Sequence, residues 1–199
     1  MYEIKINDPY FLPHCGCFIE LTLNRGEVVI INGPNGLGKT TFINQLYENF
    51  KRNSDEVALI EQRVLDFFYD RKLSEIKSII SDLKNDAIDV SSFHELWNSF
   101  GLTAKEDRLL STLSGGEAQS LKLCVGLAKK ADLYLLDEPT QSLDHEKKLK
   151  LSEILEELRS RNKMIVIIEH DLKWMPKGWR VLPFKLVDNV LSKGDEWNI

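Results

Sequence analysis

An unbroken apolar run, Val28-Val29-Ile30-Ile31, leads directly into Gly33-Pro34-Asn35-Gly36-Leu37-Gly38-Lys39-Thr40, and this junction constrains the chain more than any other feature. Four consecutive β-branched residues suit a strand covered on both faces. Beyond the glycines, Phe42, Ile43 and Leu46 fall on one side of a helical pattern over Lys39 to Glu48. The loop fits G-x-x-x-x-G-K-[ST] between a buried strand and a helix, where backbone N–H groups and the helix dipole converge on phosphate oxygens. Lys39 is placed to reach the outer phosphates, and Thr40 to offer its hydroxyl to Mg²⁺. An ordinary glycine turn has a similar composition, but its position between these two elements argues for phosphate.

The rest of the chain repeats the alternation. Segments at Tyr2 to Ile6 and Cys17 to Leu23 read as short strands preceding the first buried one, and Val57 to Ile60, Leu133 to Leu136 and Met164 to Ile168 as further apolar strands. Leu151, Ile154, Leu155 and Leu158 mark an amphipathic helix between the last two, and Arg180 to Pro183 and Leu186 to Leu191 read as closing strands. After Val57 to Ile60, residues of about 63–112 have helical character, with Ile76, Ile79, Ile80 and Leu83 spaced as one face. The expected fold is α/β: a mostly parallel central sheet flanked by helices, with a helical insertion at about 63–112 and a short N-terminal antiparallel lobe, all in one domain over residues 1–199.

Composition narrows the function classes. A net charge of −5 gives no broad positive field for nucleic acid or anionic lipid. No run approaches the length of a membrane span and the N-terminus lacks the regions of a secretory signal, so the expected location is cytoplasmic, without direct membrane insertion. Three cysteines argue for a reducing compartment, with Cys124 as core filler. His14, Cys15 and Cys17 lack the second ligand cluster that a zinc site requires.

Two further motifs carry chemistry. Asp137 and Glu138 end an apolar strand on the edge where open parallel sheets bind ligands, so Asp137 is the candidate Mg²⁺ residue and Glu138 the candidate general base. Adjacent acids at a strand end are more often surface charge, and the phosphate loop is what favours the catalytic reading. Leu113-Ser114-Gly115-Gly116-Glu117 opens a helix, and reads both as a capping box of Ser114 with Glu117 and as a second anion site.

Together with Gln62, Ser142-Leu143-Asp144 and His170, these motifs resemble, in order and spacing, the ATP-binding cassette (ABC) ATPases, over about Tyr10 to His170. The signature from Leu113 to Glu117 is far more specific than the phosphate loop. The resemblance implies a P-loop NTPase fold with ATP and Mg²⁺ as cofactors. It also implies a head-to-tail dimer, with a second copy or another ABC ATPase, in which the signature of one chain covers ATP on the phosphate loop of the other. Gly33, Pro34, Asn35, Gly36, Leu37, Gly38, Lys39, Thr40 and Thr41 would bind ATP, with Tyr10, or next Phe11, stacking on adenine. Thr40, Gln62 and Asp137 would hold Mg²⁺, and Gln62 would also meet the attacking water. His170 would contact the γ-phosphate and steady Glu138, and Asp144 would lie across the dimer seam.

The chain departs from the family pattern in three places. Only 23 positions separate Lys39 from Gln62, which implies a trimmed antiparallel lobe; Ser120 stands where arginine is common, and Gln141 where a small residue is. The implied function is the ATP-hydrolysing subunit of a transporter, peripheral at the membrane through a separate integral membrane subunit. The competing reading is a soluble ATPase acting on nucleic acid or ribosomes. Phe67, Phe68, Tyr69, Phe93 and Trp97 could line a groove for a partner helix, although aromatics at helical spacing are mostly core.

Overall fold

The computed structural model describes the backbone of residues 3–12, 17–53, 56–60, 68–83, 87–187, 190–193 and 197–198, and the side chains of residues 23–52, 56–60, 68–83 and 87–181. Strands β1 (Glu3–Leu12) and β2 (Cys17–Asn24) form an antiparallel pair, the expected N-terminal lobe. β1 runs six residues beyond the expected Ile6, with a register shift between Ile6 and Tyr10, so Tyr10 is a strand residue opposite Ile19. A bulge of this kind lets a strand continue across a break in alternation.

The main sheet is built from β3 (Val28–Asn32), β4 (Val57–Ile60), β5 (Leu133–Asp137), β6 (Met164–Ile168), β7 (Arg180–Val187), β8 (Val190–Lys193) and β9 (Trp197–Asn198). Its order is β4-β5-β6-β3-β7-β8, with β9 also on β7, and the five strands from β4 to β7 are parallel. β8 and β9 pair antiparallel with β7. β7 continues past the expected end at Pro183 to Val187, and β8 begins at Val190. Pro183 occupies the last rung of the ladder with β3, opposite Asn32, where a missing N–H disrupts little.

Successive residues of a strand face opposite sides, and both sides of this sheet are covered. Val29, Ile31, Leu133, Leu135, Val166 and Ile168 pack with Phe42, Ile43 and Leu46 of α1 (Lys39–Asn53). Val28, Ile30, Tyr134, Leu136, Ile165 and Ile167 belong to a second cluster on the other face. That cluster includes Leu121, Leu123 and Cys124 of α4 (Gly115–Leu127) and Leu151 and Leu155 of α5 (His145–Ser160). Gly126 marks a tight approach, since a methyl group there would lie 2.3 Å from Cγ1 of Ile60.

The insertion contributes to the same cluster through α2 (Leu73–Ser81) and α3 (Val90–Ser99), linked to α4 by two short 3₁₀ turns. Leu73, Ile76 and Ile80 form the buried face of α2, but the helix caps at Asp82 and leaves Leu83 exposed, against the expected spacing. Phe93 and Trp97 are fully buried core residues rather than groove residues. Phe68 packs partly buried on the core, and Tyr69 is exposed. Cys124 is a buried free thiol that donates to the Phe93 carbonyl. No helix among the described residues is long and apolar enough to cross a membrane.

Candidate functional site

Parallel strands put their C-terminal ends on one edge, and the ladder aligns Ile31 with Ile168 and Ile168 with Asp137. The phosphate loop leaving β3, the acidic pair ending β5 and His170 after β6 are therefore neighbours, although their positions in the chain are scattered. Gln62, two positions after the last residue of β4 in the sequence, lies outside the described residues, as does the side chain of Tyr10.

Gly36 and Gly38 take φ of +83° and +84°, backbone open to glycine at no steric cost, which turns the loop into the first turn of α1. That turn holds no acidic residue, and a methyl group on Gly36 would meet nothing within 4 Å, so the loop mouth is open and suits an anion. Lys39 folds back over the loop, its Nζ donating to the carbonyls of Gly33 and Pro34 at 2.8 Å each. Burial lowers its pKa, against the opposing pull of Glu138 and then Asp137. A polyphosphate entering the loop would offer this buried ammonium a stronger partner than two carbonyls.

Glu138 follows β5 with φ of +48°, a left-handed conformation that a non-glycine residue holds only when its surroundings impose it. Its amide donates to the Ile168 carbonyl at 3.0 Å, and its Oε1 stands 3.3 Å from Nε2 of His170. Both side chains are about one third exposed, so the pair opens to the ligand edge.

At the start of α4, Ser114 and Glu117 form the expected capping box. The Glu117 amide donates to Ser114 Oγ at 3.3 Å, and the Ser114 amide to Glu117 Oε2 at 2.8 Å. Lys105, the Ser114 amide and Arg108 hold the Glu117 carboxyl down at about 2. Ser114 and Gly115 face solvent, and Leu113 packs partly buried on the core. Gly116 rests on Ser142, itself at φ +64° in the turn leading to Asp144, which caps α5 by accepting from the Lys147 amide.

A family model described as ABC transporter matches residues 18–141. The chain belongs to the ABC ATPases, a family that hydrolyses ATP. It is 31% identical over 161 residues to an uncharacterized ABC transporter ATP-binding protein of Methanocaldococcus jannaschii, covering 76% of this chain and 26% of that one. It is 30% identical over 163 residues to an aliphatic sulfonates import ATP-binding protein of Nocardia farcinica, covering 77% and 64%. Among solved structures, ribosome-bound archaeal Pelota and ABCE1 aligns with a TM-score of 0.69 at 25% identity, covering 92% of this chain and 35% of that one. The cassette thus spans between about a quarter and two thirds of the length of these two curated relatives.

In this ABC ATPase the loops that carry the candidate site residues rest on residues that periodicity does not reveal. Asn32, at the end of β3, donates through Nδ2 to the carbonyl of Glu169 at 2.7 Å. Gln119, buried in α4, donates to the Pro139 carbonyl at 3.0 Å, so the signature helix holds the peptide that follows Glu138. Ser120, where arginine is common, is fully buried and donates to the Gly116 carbonyl at 2.7 Å. The one advance signal for Glu169, at 4% exposure, was a carboxylate attached to the end of an all-apolar strand.

Proposed function

We propose that this cassette is the ATP-hydrolysing subunit of an ABC transporter, dimerising head-to-tail around two MgATP to drive a separate integral membrane partner. The observation that carries the dimer is the solvent-facing α4 N-terminus, Ser114 and Gly115, in a chain that already holds a phosphate loop. A capped, positively polarised helix end offers amides and a hydroxyl to a phosphate held by another chain. The transport reading is supported by the similarity to a sulfonate-import ATP-binding protein. The similarity to ribosome-bound ABCE1 favours the second reading, a soluble ATPase acting on ribosomes.

In the proposed reaction, the loop amides and Lys39 hold the triphosphate, and Glu138 takes a proton from the attacking water as its oxygen bonds to the γ-phosphorus and the bond from that phosphorus to the β–γ bridging oxygen breaks, leaving ADP and inorganic phosphate. His170, 3.3 Å from Glu138, orients that carboxylate and faces the leaving phosphoryl oxygens. The exposed Thr40 hydroxyl at the head of α1 and the Asp137 carboxylate at the end of β5, with Gln62, are the hard oxygen donors that would hold Mg²⁺. When bound, the ion neutralises charge on the β- and γ-phosphates.

The test is Glu138→Gln. It keeps ATP binding, loses about 100-fold or more of turnover, and accumulates a MgATP-dependent dimer by light scattering. A variant that stays monomeric at saturating MgATP and high protein concentration, with its membrane partner present, refutes the sandwich. Affinity capture from detergent-solubilised membranes separates the two readings: an integral membrane protein supports transport, whereas ribosomes alone support the second.

A further inference from the structure

Glu169 has no part in the reaction just described, yet it is a carboxylate at 4% exposure, immediately before His170. A carboxylate is an acceptor-only group, and buried polar atoms require partners. Three donors face this one. Thr140 Oγ1 donates to Oε2 at 2.5 Å, while the amides of His170 and Asp171 donate to Oε1 at 2.8 and 3.3 Å. The backbone of Glu169 is also held on both sides, its amide donating to the Ile31 carbonyl at 3.1 Å and its carbonyl accepting from Asn32.

Thr140, also 4% exposed, lies two residues beyond Glu138 in the turn that keeps Glu138 at positive φ. That turn is closed by the Gln141 amide donating to the Glu138 carbonyl at 3.2 Å and the Leu143 amide donating to the Thr140 carbonyl at 3.1 Å. The two oxygens of Glu169 therefore grip different segments: one the turn that bears Glu138, the other the loop that bears His170.

We propose that Glu169 is a positioning residue for ATP hydrolysis, which through Thr140 fixes the Glu138 turn against the His170 loop and so sets the separation of those two side chains. It rests on the reading of Glu138 as the base. A strained backbone persists where its surroundings over-determine it, and the buried Thr140–Glu169 bond supplies one of those constraints. Glu169 touches neither water nor nucleotide in this role; it acts through the placement of groups that do.

The experiment measures steady-state ATP hydrolysis and thermal melting of the full chain for Glu169→Gln, Thr140→Val, Thr140→Ser and Glu169→Gln with Thr140→Val. Glutamine places an NH₂ against donors, and valine removes the hydroxyl at nearly constant volume. Each is expected to lower kcat by about 10- to 100-fold with KM for ATP within about threefold, as misplacement of a reacting group does. Serine, which keeps the donor, recovers most of what valine loses, and the double variant falls no further than the worse single one because both cut the same link. The proposal is overturned if Thr140→Ser is as impaired as Thr140→Val, or if the variants melt earlier while kcat of the folded protein is unchanged. Glu138→Gln run alongside separates the two ideas. Full turnover there removes the base assignment and this proposal with it, whereas an inactive Glu138→Gln beside a fully active Glu169→Gln removes the positioning role alone.

Discussion

Gly116 packs so closely on Ser142 that a methyl group on its α-carbon would lie 2.4 Å from the Ser142 carbonyl oxygen. The signature helix and the turn after Glu138 thus meet backbone to backbone within one chain. Gly116→Ala is expected to displace that turn, because the atom in the way is main chain and cannot rotate aside. ATP turnover should fall by about tenfold or more through misplacement of Glu138, while the affinity of the monomeric chain for a fluorescent ATP analogue, set at its own phosphate loop, is nearly preserved. Unchanged turnover would show that the turn yields without moving the carboxylate.

Lys39→Ala is the complementary lesion. It deletes the cation that caps the phosphate loop, where a charge-assisted hydrogen bond contributes about 2 kcal/mol, or on the order of 30-fold in Kd. Equilibrium nucleotide binding should weaken by that amount with little change in melting temperature. A loss seen only in kcat would move Lys39 from binding to the chemical step.

Glu117 sets an acid limit on stability. Its folded pKa of about 2 lies below its ordinary 4.5, so folding favours the ionised form. The contribution is complete above pH 4.5 and is lost as pH falls from 4.5 towards 2. Urea unfolding of the unaltered chain and of Glu117→Gln across that window should show the stability difference shrinking as pH falls. Added salt should shrink it too, since Lys105 and Arg108 are partly exposed. A difference that holds constant through the window would place the effect elsewhere.

Gly126→Ala tests packing away from the nucleotide. The added methyl would lie 2.3 Å from Cγ1 of Ile60, an inner atom of a core side chain. Overpacking of this kind costs about 2 kcal/mol, which for a chain of this length lowers Tm by roughly 4–8 °C. Differential scanning calorimetry gives the answer directly, and an unchanged Tm would mean that α4 and β4 separate freely.

Much of this protein is legible in its sequence, for a local reason. Phosphate loops, capping boxes and buried parallel strands are written in residues a few positions apart, and Val28 to Thr40 and Ser114 to Glu117 therefore announced their structures. Expectation and structure part where short-range rules meet a long-range outcome. Leu83 continues a helical spacing that Asp82 ends, and the strand that opens at Arg180 runs on through Pro183 to Val187.

The sequence by itself determined the kinds of element, the identity of the phosphate loop and the family. Only the tertiary structure decided that β6 lies between β5 and β3, which brings His170 to Glu138, and that Glu169 joins Thr140 across 29 positions of chain. A hydrogen bond between such distant residues leaves no period or spacing in the sequence, because the partner is chosen by the order of strands in the sheet. That order is settled when apolar faces on both sides are buried together.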